Sequence, residues 1–131
     1  IDGVKTDWHN LSHHGKDENK IDELEIIEKE EFSLFAKFLA ELKNHQENGS
    51  SLLTNTAVLF GSNLGNASSH DWRNLPIILA GGGYRHGCYV AHDPQNNTPL
   101  SNLFVPLAQR MGVAIEQFGK STKSSLRGLE S

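Results

Sequence analysis

The sequence lacks several features that whole functional classes require. Its single cysteine, Cys88, excludes an internal disulfide and a multi-cysteine zinc site, and we interpret it as a small buried hydrophobic residue. The basic residues are scattered and the formal net charge is −4, which argues against a nucleic-acid-binding surface. The longest apolar run, 75–80, is far shorter than the roughly 20 residues that span a bilayer.

The composition is that of an ordinary globular protein. Apolar residues make up 37% of the 131 residues and charged residues 21%, which suits one domain or part of one. The sequence begins at Ile1 without a methionine or a signal-peptide pattern. We therefore expect a processed or truncated product.

A long amphipathic helix is predicted between Asp17 and His45. Asp17 fits an N-cap, and Glu18 places a carboxylate in the first turn, where the helix dipole favours it. Most gaps between its apolar residues are three or four positions, which predicts one buried stripe: Ile21, Leu24, Ile27, Phe32, Phe35, Phe38, Leu39 and Leu42. The polar segment 48–51 predicts a turn after the helix.

Two short apolar runs, 56–60 and 76–80, predict buried strands. Because both runs are continuously apolar and follow a long helix, they favour an α/β fold. In that fold a mainly parallel sheet would carry helices on both faces. Further short strands are expected at 88–90 and 113–118.

A second helix is predicted near the C-terminus. Thr98 fits its N-cap, Pro99 its first helical position and Gly112 its C-cap. Pro106 lies inside the helix and predicts a bend, because proline removes one backbone hydrogen bond. Residues 120–131 form a polar, serine-rich tail.

Histidines are concentrated near the N-terminus, where His9, His13 and His14 lie within six residues. Convergent imidazole nitrogens bind transition metals. His9 and His13 are four positions apart, as on one face of a helical turn, although the segment itself predicts an irregular loop. The alternative is a polar loop whose histidines cap neighbouring backbone groups.

A second group of polar residues follows the first predicted strand. Ligands of open α/β sheets bind beyond the carboxyl ends of the strands, and Ser62 and Asn63 occupy this position. The same loop, 61–73, adds His70 and Asp71, which suit a metal, and Arg73, whose planar guanidinium suits phosphate or sulfate. The alternative is a loop held by ordinary hydrogen bonds.

The order of these segments resembles the alkaline phosphatase and sulfatase superfamily. Residues 53–65 resemble its strand and metal loop, residues 70–83 its histidine loop and next strand, and residues 98–113 its closing helix. Residues 12–15 also resemble a segment of an uncharacterised, usually exported bacterial branch. The resemblance implies that residues 1–131 are the C-terminal part of one three-layer sandwich domain, located in the periplasm or outside the cell.

The resemblance implies metal-dependent hydrolysis of a phosphate or sulfate ester by a longer protein. Its partners would be an anionic small-molecule ester and the missing N-terminal part of the same protein, which would carry the Ser or Thr nucleophile. Asn63 and Leu64 replace an Asp and a His of the superfamily, so one metal position is lost. One divalent, zinc-like ion would remain, with candidate ligands His9, His13, His14 and His70. The alternatives are a non-catalytic derivative that binds a ligand or partner, and a plain structural fragment.

Overall fold

A computed structural model describes residues 1–129 of the chain, so the last two residues of the predicted polar tail lie outside the described residues. Helices predominate, and the strands form two small hairpins. In chain order the elements are α1 (Trp8–Ser12), α2 (Glu18–Asn44), β1 (Gln46–Glu47), β2 (Ser50–Ser51), α3 (Leu52–Asn55), β3 (Ala57–Gly61), β4 (Ile77–Gly81) and α4 (Ser101–Arg110).

Helix α2 has the bounds that its sequence predicts. The Asp17 side chain accepts a hydrogen bond from the Asn19 amide at 3.0 Å, and His45 is the C-cap. The helix has 27 residues and is therefore about 40 Å long. Its apolar stripe packs on the second hairpin, which β3 and β4 form. There the Phe35 ring stacks on Phe60 with centroids 4.5 Å apart. The prediction of this helix is confirmed.

Helix α1 corrects the prediction of an irregular N-terminal segment. The Asp7 carboxylate caps it by accepting a hydrogen bond from the Asn10 amide at 3.0 Å. Leu11 is completely buried, and α1 packs against α2. The Glu23 carboxylate of α2 also accepts hydrogen bonds from the Lys5 and Thr6 amides, which lower its pKa. Tertiary contacts with α2 therefore hold a segment too short to be a stable helix alone.

The predicted turn after α2 is present as the tip of a small hairpin. Asn48 and Gly49 both have positive φ angles, 51° and 84°, which are the angles that a tight hairpin turn needs at its two central residues. Strands β1 and β2 pair antiparallel on either side of this turn. The hairpin directs the chain through α3 into β3.

The predicted sheet is wrong. Strands β3 and β4 form an antiparallel pair in which Leu59 lies opposite Leu79, and the described residues contain two separate two-stranded antiparallel sheets. The mainly parallel sheet of an alkaline-phosphatase-like three-layer sandwich is therefore absent from them. The physical reason is that a continuous apolar run indicates a buried strand but does not indicate whether that strand pairs parallel or antiparallel. The β3–β4 connection also lacks the crossover helix that usually joins parallel strands.

Helix α4 begins later than predicted. Thr98 and Pro99 precede it, and its N-cap is Leu100, which makes no side-chain capping bond. Pro106 lies inside the helix, and Gly112 follows its C-cap, Met111. The strands predicted at 88–90 and 113–118 are wrong, because neither segment is a strand. Cys88 is exposed rather than buried.

The buried core is small for a chain of this mass. Its apolar members are Leu11, Ile27, Tyr84, Leu103 and Val105. The accessible surface is 9497 Å², whereas a compact monomer of 14.5 kDa exposes about 6,900 Å². Phe32 and Phe38 of α2 and Ile78 of β4 are 40–50% exposed. The chain therefore presents apolar surface that a self-contained domain would cover.

Within the described part of the chain, no helix has both the length and the apolar character needed for a membrane crossing.

The Phe35–Phe60 stack gives the first prediction. Because Phe35 is partly buried, Phe35→Ala should lower the free energy of unfolding by about 2 kcal/mol, below the range for fully buried phenylalanines. Phe38→Ala removes the same side chain at a position that is 49% exposed and should cost less. Urea unfolding followed by circular dichroism measures both. Equal losses in the two variants would show that the stacked Phe35 contributes no more stability than the exposed Phe38, and would contradict the prediction.

Candidate metal centre

Two histidines that are far apart in sequence meet at one end of the fold. The Nε2 atoms of His13 and His70 are 3.2 Å apart, and their rings are nearly perpendicular, with centroids 4.8 Å apart. The His9 ring also lies 4.8 Å from the His13 ring, measured between centroids. Next to them, the Gly15 amide donates a hydrogen bond to Ser68 Oγ at 3.3 Å. This bond joins the N-terminal segment to the loop that carries His70.

Helix α1 places His9 and His13 one turn apart. His13 is the C-cap, and its amide donates to the His9 carbonyl at 3.3 Å. The Ser12 hydroxyl donates to the same carbonyl at 2.8 Å. Residues four positions apart lie on one helical face. The adjacent rings are therefore a direct result of the helix that Asp7 caps.

The loop between β3 and β4 holds His70 in a closed turn. Asp71 pairs with Asn66 in an isolated antiparallel bridge, and the His70 amide donates to the Ala67 carbonyl at 3.2 Å. His70 itself has a φ of 53°, in the left-handed region that few non-glycine residues adopt. From this position in the loop, the imidazole of His70 contacts that of His13.

Asp71 and Arg73 are bound to each other. Arg73 donates from Nε to Oδ1 at 2.9 Å and from Nη2 to Oδ2 at 3.1 Å, and its amide also donates to Oδ1. The side-chain hydrogen bonds lower the pKa of Asp71 and raise the pKa of Arg73. The two predicted ligands in this loop are therefore engaged internally. Because Nε and Nη2 of Arg73 bind Asp71, only the other N–H groups of the guanidinium remain available to an anion.

The other predicted site residues make local contacts. His14 Nδ1 accepts a hydrogen bond from the Lys16 amide at 3.1 Å. His14 thus caps a neighbouring backbone group, as the alternative to metal binding predicts. Ser62 Oγ accepts from the Leu64 amide at 3.1 Å. The Asn63 side chain makes no hydrogen bond within residues 1–129. The contacts of the described residues therefore leave His14, Ser62 and Asn63 outside the group formed by His9, His13 and His70.

A small cavity borders this group. Its volume is about 410 Å³ and its lining residues are Ser69, His70, Asp71, Trp72 and Arg73. The Trp72 side chain is 73% exposed and offers an aromatic surface beside His70. A small molecule bound in this cavity would contact an imidazole, a guanidinium and an indole.

The two Nε2 atoms of His13 and His70 are close enough together to be ligands of one metal ion. No group of three or more His, Cys, Asp or Glu residues among 1–129 is arranged to hold a metal ion. The His13–His70 pair is the closest approach of imidazole nitrogens that the described contacts contain. Neither Nδ1 atom of the pair has a hydrogen-bond partner in that region, although metal-bound histidines usually have one.

Sequence analysis missed the helix that aligns His9 with His13 and the ion pair that occupies Asp71. Signals for both were present. Asp7 stands three residues before Asn10, which is the spacing between an N-cap residue and the backbone amide that its side chain caps. Arg73 follows Asp71 within reach of a fork-like contact. Comparison of the chain with protein-family models, curated proteins and solved structures found no match.

The Asp71–Arg73 pair gives the second prediction. Arg73→Gln should raise the pKa of Asp71 towards the ordinary value of about 3.9, because the guanidinium hydrogen bonds that lower it are lost while the bond from the residue 73 amide remains. A carboxylate with a lowered pKa stabilises the fold above its unfolded-state pKa, and this contribution disappears as pH falls through the folded-state value. Carbon-detected NMR titration of the carboxyl group measures the shift.

The matched control for this titration is Lys37→Gln. Lys37 is exposed on α2, so the variant makes the same change in net charge without touching Asp71. It should leave the titration of Asp71 unchanged. An equal rise in both variants would attribute the lowered pKa to net charge and refute the local cause.

Proposed function

We propose that this chain binds one divalent, zinc-like ion between His13 and His70. The observation that carries the proposal is the 3.2 Å separation of the two Nε2 atoms. Imidazole nitrogens lie about 2.0–2.1 Å from zinc, so this separation corresponds to an N–Zn–N angle of roughly 100–105°, close to tetrahedral. The proposal makes the chain a metal-binding component and agrees with the non-catalytic alternative.

The same separation fits a hydrogen bond in which one Nε2–H donates to the other ring. A metal ion would use the Nε2 lone pair of both rings, so the ring that donates the hydrogen bond would carry its proton on Nδ1 instead. Because protons and metal ions compete for the same lone pairs, the affinity for metal falls as the pH is lowered. Metal titration thus distinguishes the two arrangements.

The remaining coordination positions need further groups. His9 is the nearest candidate, because its ring lies 4.8 Å from that of His13. Water or another polypeptide would supply the rest. The exposed large apolar side chains support a covering polypeptide, and the total accessible surface is about 2,600 Å² larger than that of a compact monomer of this mass. The missing N-terminal part of the same protein is the partner that the resemblance implies.

Ester hydrolysis by a longer protein stays a prediction, as does its export. Its support is the cavity beside His70, where Arg73 would contact an anionic ester. The internal pairing of Arg73 with Asp71 and the replacements at Asn63 and Leu64 favour binding without catalysis. Because the nucleophile implied by the resemblance lies outside the sequence, we expect no turnover of generic phosphate or sulfate esters by this chain alone.

The third prediction tests the metal. Titration of the metal-free chain with Co²⁺ or Zn²⁺ at neutral pH should show one saturable site. His13→Ala and His70→Ala should each weaken binding by roughly tenfold or more, because each removes one of two nitrogen ligands. His9→Ala should weaken it less if His9 only approaches the ion. Calorimetry and the Co²⁺ absorption spectrum report the affinity and the coordination geometry.

The control for the metal titration is His45→Ala. His45 is exposed at the end of α2, where its ring contacts Glu41, and its loss should leave the affinity unchanged. The proposal fails if the chain shows no saturable binding. It also fails if His45→Ala weakens binding as much as His13→Ala and His70→Ala do.

A further inference from the structure

A second cavity lies between the loop after β4 and the C-terminal segment. Its volume is about 360 Å³, and its lining includes Arg85, Tyr89, Val90, Arg127 and Gly128. It shares no lining residue with the cavity beside His70. Neither the metal proposal nor the resemblance uses any of these residues.

A close approach of the Gly128 backbone to the Val90 side chain brings Arg85 and Arg127 to one cavity. Gly128 has a φ of 89°, and a Cβ atom there would lie 2.5 Å from Val90 Cγ2, so this contact requires glycine. The Cys88 thiol lies 3.8 Å from the Gly128 carbonyl oxygen, to which it donates. These contacts join segments that are about 40 positions apart in sequence. Arg85 and Arg127 consequently line the same cavity.

The cavity is positively charged in an acidic protein. None of its lining residues is an Asp or a Glu, while the chain carries a net charge of −4. The other two arginines are engaged: Arg73 binds Asp71, and Arg110 donates to the Gly83 carbonyl and lies over the Tyr84 ring. Arg85 and Arg127 form no ion pair or side-chain hydrogen bond within the described residues. Both arginines thus line the cavity without a partner for their guanidinium groups among residues 1–129, and a planar guanidinium suits an oxyanion.

The ring of Tyr89 adds a second chemical feature. It is 92% exposed although it lines the cavity, so its aromatic face is available for stacking. From the two guanidiniums and this ring, we propose that the cavity binds a small oxyanion attached to an aromatic group. The guanidiniums would hold the oxyanion through charge-assisted hydrogen bonds, and Tyr89 would stack on the aromatic part.

The fourth prediction uses phenyl phosphate and inorganic phosphate as probes. Both should shift the amide NMR signals of the two loop segments saturably in metal-free protein, with phenyl phosphate bound more tightly. The double variant Arg85→Gln and Arg127→Gln should weaken phenyl phosphate binding by roughly tenfold or more, because charge-assisted hydrogen bonds are lost. Tyr89→Ala should remove the preference for phenyl phosphate and retain phosphate binding.

Two controls separate this site from general charge and from the metal site. Lys120→Gln with Lys123→Gln makes the same change in net charge on exposed residues of the C-terminal segment and should retain binding. His70→Ala should also retain it. Equal weakening by the lysine and arginine pairs, or no saturation at millimolar probe, would overturn the proposal. A phenyl phosphate preference that survives Tyr89→Ala would refute the stacking contact.

A circular dichroism spectrum and an amide NMR spectrum of each variant establish that it is folded. If the double arginine variant does not fold, the single variants Arg85→Lys and Arg127→Lys take its place. They keep the charge but lose the planar fork, and each should weaken phenyl phosphate binding. Unchanged affinity in both would overturn the proposal as well.

Discussion

The stacking of Phe60 on Phe35 is the contact on which the arrangement of the chain depends. It fixes the second hairpin against the middle of α2, while Glu23 fixes the N-terminal segment to the first part of the same helix. The loop that leaves β3 therefore reaches the N-terminal end of α2, where α1 lies. The His13–His70 contact is the result of these two attachments to one helix.

Features that depend on local sequence were predicted well. The bounds of α2 follow from Asp17 as N-cap and from the spacing of the apolar residues, and both strands lie within one residue of the predicted runs. These features were predictable because capping and periodicity are properties of neighbouring residues. The concentration of imidazoles near the N-terminus was visible for the same reason.

Features that depend on distant partners were not predicted. The direction of β4 relative to β3 is determined by the path of the connecting loop, and the apolar sequences of the strands do not encode it. Asp7 was a local signal for helix α1, but the burial of Leu11 and the packing of α1 on α2, which stabilise so short a helix, are not visible in the local sequence. His9, His13, His14 and His70 were named together as candidate ligands of a fold whose parallel sheet is absent from residues 1–129. In the observed fold His70 nevertheless approaches His13.

Tyr84 connects the loop after β4 to α4 and determines how that loop responds to alkali. Its hydroxyl donates to the Pro106 carbonyl at 3.0 Å, and burial raises the pKa of Tyr84. The phenol therefore remains a hydrogen-bond donor at a pH where an ordinary tyrosine has begun to ionise. Stability from this neutral phenol persists below the unfolded-state pKa and is lost only as pH rises through the folded-state value. The hydrogen bond that holds the loop bearing Arg85 to α4 is therefore lost only at a higher pH than the same bond from an ordinary tyrosine would be.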